Sequence, residues 1–408
     1  MHNALTSDFS AVQPSRLGTA RRDFTRQLLG AAGVGLLAPL VACGGGGSDP
    51  APATGGVPTP APAPAPSPAP TADVIMLLAG SGVEANQGAT DGIGAVARFR
   101  SAKGIAYDSV SKRLLIADTG NRVIRTVGLD GNTALLAGAV GVVGSTDGVG
   151  GAARFRSPTG LSADTAGNVF VADPSNTDNP FPFGSVRKVT PAASTSTRTT
   201  VVSTDGRDFM LPLLTATYAN GDIAVSDGVT VRYLKGDSAL VIKLAGGGAA
   251  GSVDGVGAAA SFTDIRAMIV SGDNIYVLDR VGATGGSTYS LIRKITPGGV
   301  VSTFAGRREQ TSVLTPGTAV QNKLPFRASG LALDADGNLI TFGPVSAQGD
   351  GFINITVQGV ASVAYTVTVS DVIDKLFTTV VQMTSIGGRK FAATSGAFGT
   401  AVFTINLP

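Results

Sequence analysis

Six apolar runs end on the same kind of corner at intervals of about fifty to sixty residues, and that period constrains the fold more than any other property of the chain. The corners fall at Asp118 (LLIAD), Asp173 (VFVAD), Asp227 (IAVSD), Asp279 (IYVLD), Gly343 (LITFG) and Thr394 (KFAAT). A second series of run ends, at Gly80, Gly138, Gly246 and Gly306, is out of phase with the first, so each period holds several strands. The first unit shows them in order: Lys103–Asp108 innermost, the run to Asp118, Arg122–Val127, and Thr133–Gly138 outermost. Apolar residues alternate with small or polar ones, Gly, Asn and Asp stand between the runs, and no 3.6-residue period crosses the glycines. Four short strands per period predict an all-β chain folded as a six-bladed propeller of four-stranded antiparallel blades.

The ends of the chain suit a closed ring. Val74–Gly80 has the pattern of an outermost strand but precedes the first complete unit, and the last unit, from about Thr378 to Leu407, supplies three strands. The N-terminal strand is therefore expected to complete the last blade, which protects a sheet edge and joins the two ends. A domain of about 335 residues exceeds the usual single core, and a propeller avoids that limit by sharing apolar surface between neighbouring blades.

These residues carry a family resemblance. ATDGIGAVARF, KGIAYD, LLIADTGNRVIRTV and LLAG resemble NHL repeats. The pattern returns as STDGVGGAARFRSPTGLSAD with NVFVAD and SVRKVTP, as SVDGVGAAASF with NIYVLD and LIRKITPGGVVSTFAG, and in part as SGLALDADGNLITFG. The resemblance covers most of Val74–Leu407 and is weakest in units three and six.

The N-terminal region reads as an address. Arg21-Arg22-Asp23-Phe24 ahead of LLGAAGVGLLAPLVA resembles a twin-arginine export signal, with Arg21, Arg22 and Phe24 as its marked positions. The apolar stretch is short for a permanent span and ends in Leu40-Val41-Ala42-Cys43, which resembles a bacterial lipobox. That resemblance implies a signal peptide over residues 1–42, lipidation of Cys43 and a membrane anchor, with the outer membrane preferred because Gly44 follows rather than an aspartate. Residues 43–73 are rich in Gly, Pro and Ala and read as a tether, flexible and then extended, that reaches at most about 90 Å at ~3.1 Å per residue. A Pro-rich docking peptide is the alternative for that segment. Residues 74–408 form the repeat domain, expected to be monomeric.

Composition excludes much chemistry. His2, the only histidine, lies in the segment to be removed, so no imidazole remains for a triad, a proton shuttle or a zinc site. Cys43 is the only cysteine, which rules out an intrachain disulfide and a thiolate metal site. Loss of residues 1–42 removes four arginines and two aspartates, so the formal charge falls from +3 to +1 and leaves no basic footprint for nucleic acid. The carboxylates are nearly all Asp, with Glu84 and Glu309 the only glutamates. No cofactor is named by the sequence, although calcium is chemically allowed because hard oxygen ligands suffice.

Several groups of residues invite two readings each. The DG-x-G aspartates Asp91, Asp147 and Asp254 suit tight turns or an ion. The Asp118-Thr119-Gly120-Asn121 corner, with Arg125 in the next strand, suits a braced turn or a ligand contact, and Arg98 and Arg154 are expected to brace neighbouring blades. The sequence departs most from its repeat at Asp173–Gly184, DPSNTDNPFPFG, a candidate binding loop. There Asp173, Asn176 and Asp178 precede Phe181 and Phe183, which either meet a partner or fold down to cap the blade. Arg307, Arg308, Glu309 and Lys323 mark another long loop, one that receives an acidic partner or keeps itself solvated. The expectation is a lipid-anchored envelope module that binds a protein or peptide without catalysis. The alternative, implied by likeness to gluconolactonase-type propellers, is a calcium-assisted lactonase or related hydrolase at the axis.

Overall fold

Leu114, Leu115, Ile116 and Ala117 are all completely buried, which explains why the second strand of a unit reads as an unbroken apolar run. Leu114 and Ile116 join one core and Leu115 and Ala117 another, because successive side chains leave opposite faces of a strand and this sheet is covered on both. The computed structural model describes residues 74–175, 183–191, 197–201, 209–236, 240–247, 251–282, 289–308, 311, 313–318, 321–347, 349–366, 380–395 and 401–407. Cys43, Arg21, Arg22, Phe24, Asn176, Asp178 and Phe181 lie outside them.

The described strands form six antiparallel sheets, each a blade whose strands follow chain order except where Ile75–Gly80 joins blade six and Gly255–Val256 joins the outer edge of blade four. Blade one comprises Ile105–Asp108, Arg113–Asp118, Val123–Gly128 and Thr133–Ala137. Blade two runs from Leu161–Ala163 to Thr197–Val201, and blade three from Pro212–Thr217 to Leu240–Gly246. Blade four runs from Ile265–Ser271 to Val300–Ala305, and blade five from Ser329–Leu333 to Ala361–Thr366. Blade six holds Val380–Gly387, Lys390–Ser395 and Ala401–Asn406. Blade four departs from the expected four strands. Its outer edge is lengthened by Gly255–Val256, which pairs with Val301 and Val300.

The ring closes as expected. Ile75–Gly80 adds to blade six antiparallel to Ala401–Asn406, with Ile75 opposite Ile405 and Gly80 opposite Ala401. Among the described residues, six apolar clusters lie one at each junction between successive blades. The N-terminal strand serves two of them: Ile75 lies in the cluster between blades five and six, and Ala79 in the cluster between six and one. A glycine ends four of the outermost runs, at Gly80, Gly138, Gly246 and Gly306, because the backbone is left-handed there: Gly138 has φ 102°, and a Cβ on it would lie 3.1 Å from the Phe155 ring of the next unit.

Closure gives an asymmetry along this strand that can be measured. Ile75 is fully buried and Met76, its neighbour, is 41% exposed. Ile75→Ala should lower unfolding free energy by about 2–4 kcal/mol, as for other large-to-small core changes, while Met76→Ala should cost far less. Equilibrium urea denaturation of the two variants checks this, and equal losses would mean that the strand does not seal the ring in this register.

Candidate functional site

Among the described residues, three corners are built on a buried arginine. In blade one Arg125, 1% exposed, donates through Nη1 to Asp118 Oδ2 at 3.3 Å and through Nε to Asp91 Oδ1 at 3.1 Å. Its Nη2 bonds the same Asp91 and the Thr90 carbonyl, and its guanidinium lies 4.7 Å from the centre of the Phe99 ring. Blade two repeats this with Arg187 between Asp173 and Asp147 over Phe155, and blade four with Arg293 between Asp279 and Asp254 over Phe262. The DG-x-G aspartates are thus second anions for a buried cation.

The corner residues have separable tasks. Asp118 Oδ1 accepts the Arg100 backbone N–H at 2.8 Å, and Asn121 Nδ2 donates to Asp118 Oδ2 at 2.8 Å. Gly120 N–H donates to the Arg100 carbonyl, and a Cβ on Gly120 would lie 2.7 Å from that oxygen, so no side chain fits. Thr119 Oγ1 donates at 2.7 Å to the Pro158 carbonyl on the way into blade two. Asp173, first residue of the candidate binding loop, is fully buried and accepts the N–H groups of Arg156 and Ser157, so its carboxylate is not presented to a surface partner. Phe183 is half-buried, and its carbonyl accepts Arg156 Nη1 at 3.1 Å.

Arg98 and Arg154 correct an expectation, because neither side chain reaches a neighbouring blade. Arg98 Nη1 donates to the carbonyls of Ala95, Val96 and Ala97, and Arg154 Nη1 to those of Gly151 and Ala153. Each follows a single 3-10 turn whose last carbonyls have no partner within the turn, and the guanidinium folds back to satisfy them. The cluster of the long loop is also drawn outward in part, since Arg308 Nη2 lies 3.9 Å from Asp254.

The inner strands surround an axial cavity of about 230 Å³. Among the described residues its lining is glycine, alanine, larger aliphatics, Met268 and Met383, Tyr107, Gln382 and hydroxyls, with no carboxylate. Ser162 Oγ donates to Thr215 Oγ1, Thr215 Oγ1 to the Phe170 carbonyl and Thr217 Oγ1 to the Ala163 carbonyl, so these hydroxyls join blades two and three and no base activates them. Nor do the described residues contain a group of three His, Cys, Asp or Glu able to hold a metal ion. The carboxylate set that calcium would need is therefore not found among the described residues that line this cavity.

At the face where the inner strands begin, the axis widens into a mouth of about 380 Å³. Lys103, Arg266 and Arg280 line it beside Leu213, Leu214, Ile265, Val380 and Val381. An annex of about 210 Å³ adds Arg327, Phe342, Pro344 and Asp350. Asp264 stands behind the mouth and receives Arg266 Nε at 2.6 Å and Arg280 Nη2 at 3.3 Å. Sequence reasoning passed over these basic residues because they are scattered. The signal was their phase, since Lys103 and Arg266 stand fifteen and thirteen residues before their corners at Asp118 and Asp279.

No family model matches the chain, and no curated protein matches it. Solved structures do. A protein of unknown function from Bacteroides thetaiotaomicron aligns with a TM-score of 0.58 at 16% identity over 82% of this chain and 76% of its own. A gluconolactonase from Xanthomonas campestris aligns at 0.47 and 13% identity over 76% and 87%. The PQQ-bound aldose sugar dehydrogenase of Streptomyces coelicolor aligns at 0.48 and 13% identity over 83% and 100%. At such identities the likeness is one of fold.

Burial pushes the carboxyls of Asp118 and Asp173 up to about 6, outweighing the hydrogen bonds and arginines that pull them down. Each then binds a proton more readily in the folded protein than in the unfolded chain. Their contribution to stability is complete below about pH 4 and is lost as pH rises through about 6. The melting temperature should therefore rise between pH 7 and pH 5, and Asp118→Asn or Asp173→Asn should flatten part of that rise. A fall on acidification that both variants abolish would reverse the assignment.

Proposed function

We propose that the chain is an exported NHL-like propeller, anchored through lipid on Cys43, that binds an envelope protein or peptide without catalysis on the face where its inner strands begin. The observation that supports this reading is the division of chemistry in the fold. The buried carboxylates of Asp118, Asp173 and Asp279 hold arginines in the corners, axial hydroxyls bond to one another and to backbone, and the open, partly apolar mouth lies on the face where the inner strands begin. A binding site needs concavity, apolar surface and a few directed polar groups, all of which the mouth has. A hydrolase would need an activated nucleophile or water at the axis. Phe183, and Phe181 beside it in sequence, remain the proposed aromatic contact.

Two experiments test it. A photocrosslinker placed at Arg327, on the mouth, should yield adducts in the native envelope, whereas one at Lys112, between the first two strands of blade one, should not. Loss of aromatic anchors commonly costs ~2 kcal/mol or more, so Phe181→Ala with Phe183→Ala should weaken capture about thirtyfold in a folded protein. Equal adducts from both positions, or calcium-dependent lactone turnover by the purified domain, would sink the reading. Separately, Cys43→Ser should abolish lipid incorporation and release the protein from the membrane fraction, since a stable anchor needs its acyl chains. Unchanged fractionation and labelling would refute the anchor.

A further inference from the structure

The mouth is a ring of six quasi-equivalent backbone positions, and the residues there are not alike. In blades one and two, Lys103 and Thr159 donate backbone N–H to Ala117 and Ala172, one residue before the corner aspartate. In blades three, four and six, Leu213, Arg266 and Val381 are the extra residues at register shifts that also oppose the corner. Ser329, at the start of the blade-five inner strand, completes the set. A β-bulge re-aims one side chain out of the alternation of its strand, and these six line one mouth. Two of them are cations and none is an anion. Because the cations belong to blades one and four, three apart in a ring of six, they stand across the axis from each other.

From this we infer that the mouth recognises a carboxylate carried on an apolar stem, the acid being held between Lys103 and Arg266 and the stem lying along Leu213, Leu214, Val380 and Val381. The inference rests on the binding-module reading and names the chemistry of what that module takes. Asp264 accepts only the Nε of Arg266, at 2.6 Å, which leaves the Nη groups of the fork for a second acceptor. The same carboxylate receives Arg280, whose guanidinium is also stacked 5.1 Å from the Phe326 ring. One anion thus positions two guanidiniums and neutralises one, so the lining keeps an excess of positive charge over partly apolar walls. Gln382 Nε2 donates at 2.8 Å to the Arg266 carbonyl from blade six, fixing the bulge from across the blade-five strand. A single carboxylate suits this better than a phosphate dianion, because Asp264 and Asp350 border the site and would repel a second negative charge. A free peptide C-terminus and a small organic acid present the same group, and the probes separate them.

Calorimetry on the purified protein tests this with hexanoate, with an acetylated tetrapeptide ending in a free leucine carboxylate, and with the carboxamide of that peptide. The free-acid peptide or hexanoate should bind at least tenfold more tightly than the amide, and more weakly as salt is added. Lys103→Gln and Arg266→Gln should each weaken binding about tenfold, Arg266→Lys should restore part of it, and Lys112→Gln should change nothing. Preference for the peptide over hexanoate identifies a chain terminus, and the reverse a small acid; either supports a carboxylate. Equal binding of acid and amide, no binding of any probe at millimolar concentration, or wild-type affinity in folded Lys103→Gln and Arg266→Gln would overturn it. Mouth-face crosslinks that persist after such a failure would leave the binding module standing with another ligand.

Discussion

The rest of the structure depends on a buried guanidinium that must be neutralised where no water reaches it. Arg125, Arg187 and Arg293 are at most 1% exposed, and each takes one aspartate from the corner of its own blade and one from the segment that leads into that blade. Backbone carbonyls of the same segment, at Arg98, Arg154 and Ser261, complete the shell. The cation therefore fixes where that segment crosses the sheet, and so where the inner strand begins. A buried ion pair adds little net stability, because desolvation offsets most of the attraction. Blades two and four bear a further cost, since Nε of Arg187 and of Arg293 is buried without a hydrogen-bond partner. What the clamp supplies is geometry.

The described contacts at the other three corners differ from this pattern. In blade three Asp227 pairs with Arg232 at 2.6 Å, and that arginine side chain is a quarter exposed where those of blades one, two and four are buried. In blade six Thr394 Oγ1 donates to the Lys103 carbonyl at 3.2 Å, using a hydroxyl to hold the start of blade one. In blade five Gly343 replaces the aspartate and backbone fills the space, with Ala328 Cα 3.2 Å from where its Cβ would be. The annex of the mouth is lined by this part of blade five, Gly343 and Pro344 included.

This division explains what the sequence disclosed. Strand order, ring closure and the Asp118-Thr119-Gly120-Asn121 corner were legible because they depend on alternation and on turn residues a few positions apart. The Asp91 to Arg125 pair was not: the two are 34 residues apart, and Asp-Gly is equally at home in a turn. Arg98 was misread for a related reason, because an arginine after a 3-10 turn can reach a neighbour or its own preceding carbonyls, and only the backbone path decides. The mouth stayed hidden because a bulge sets it. Arg266 falls between the pairs Ile265–Asp279 and Ala267–Leu278, a register shift that apolar periodicity does not report.

The position of the two facing cations has a physical basis in the clamp. Lys103 and Arg266 come from blades one and four, both of which hold a buried arginine against two aspartates, while the clampless blades five and six contribute Ser329 and Val381 to the ring. A charge on a long side chain contributes to recognition only as far as its backbone is already fixed, since ordering it on binding costs entropy. The leading segment of blade one is tied to Asp118 through Arg100 N–H, and that of blade four to Asp279 through the N–H groups of Thr263 and Asp264. Each tie lies within three residues of the ring cation it supports. The corners that a catalytic reading would search for acids and bases instead hold the backbone that carries the two cations, so those segments need not be ordered when the mouth is filled.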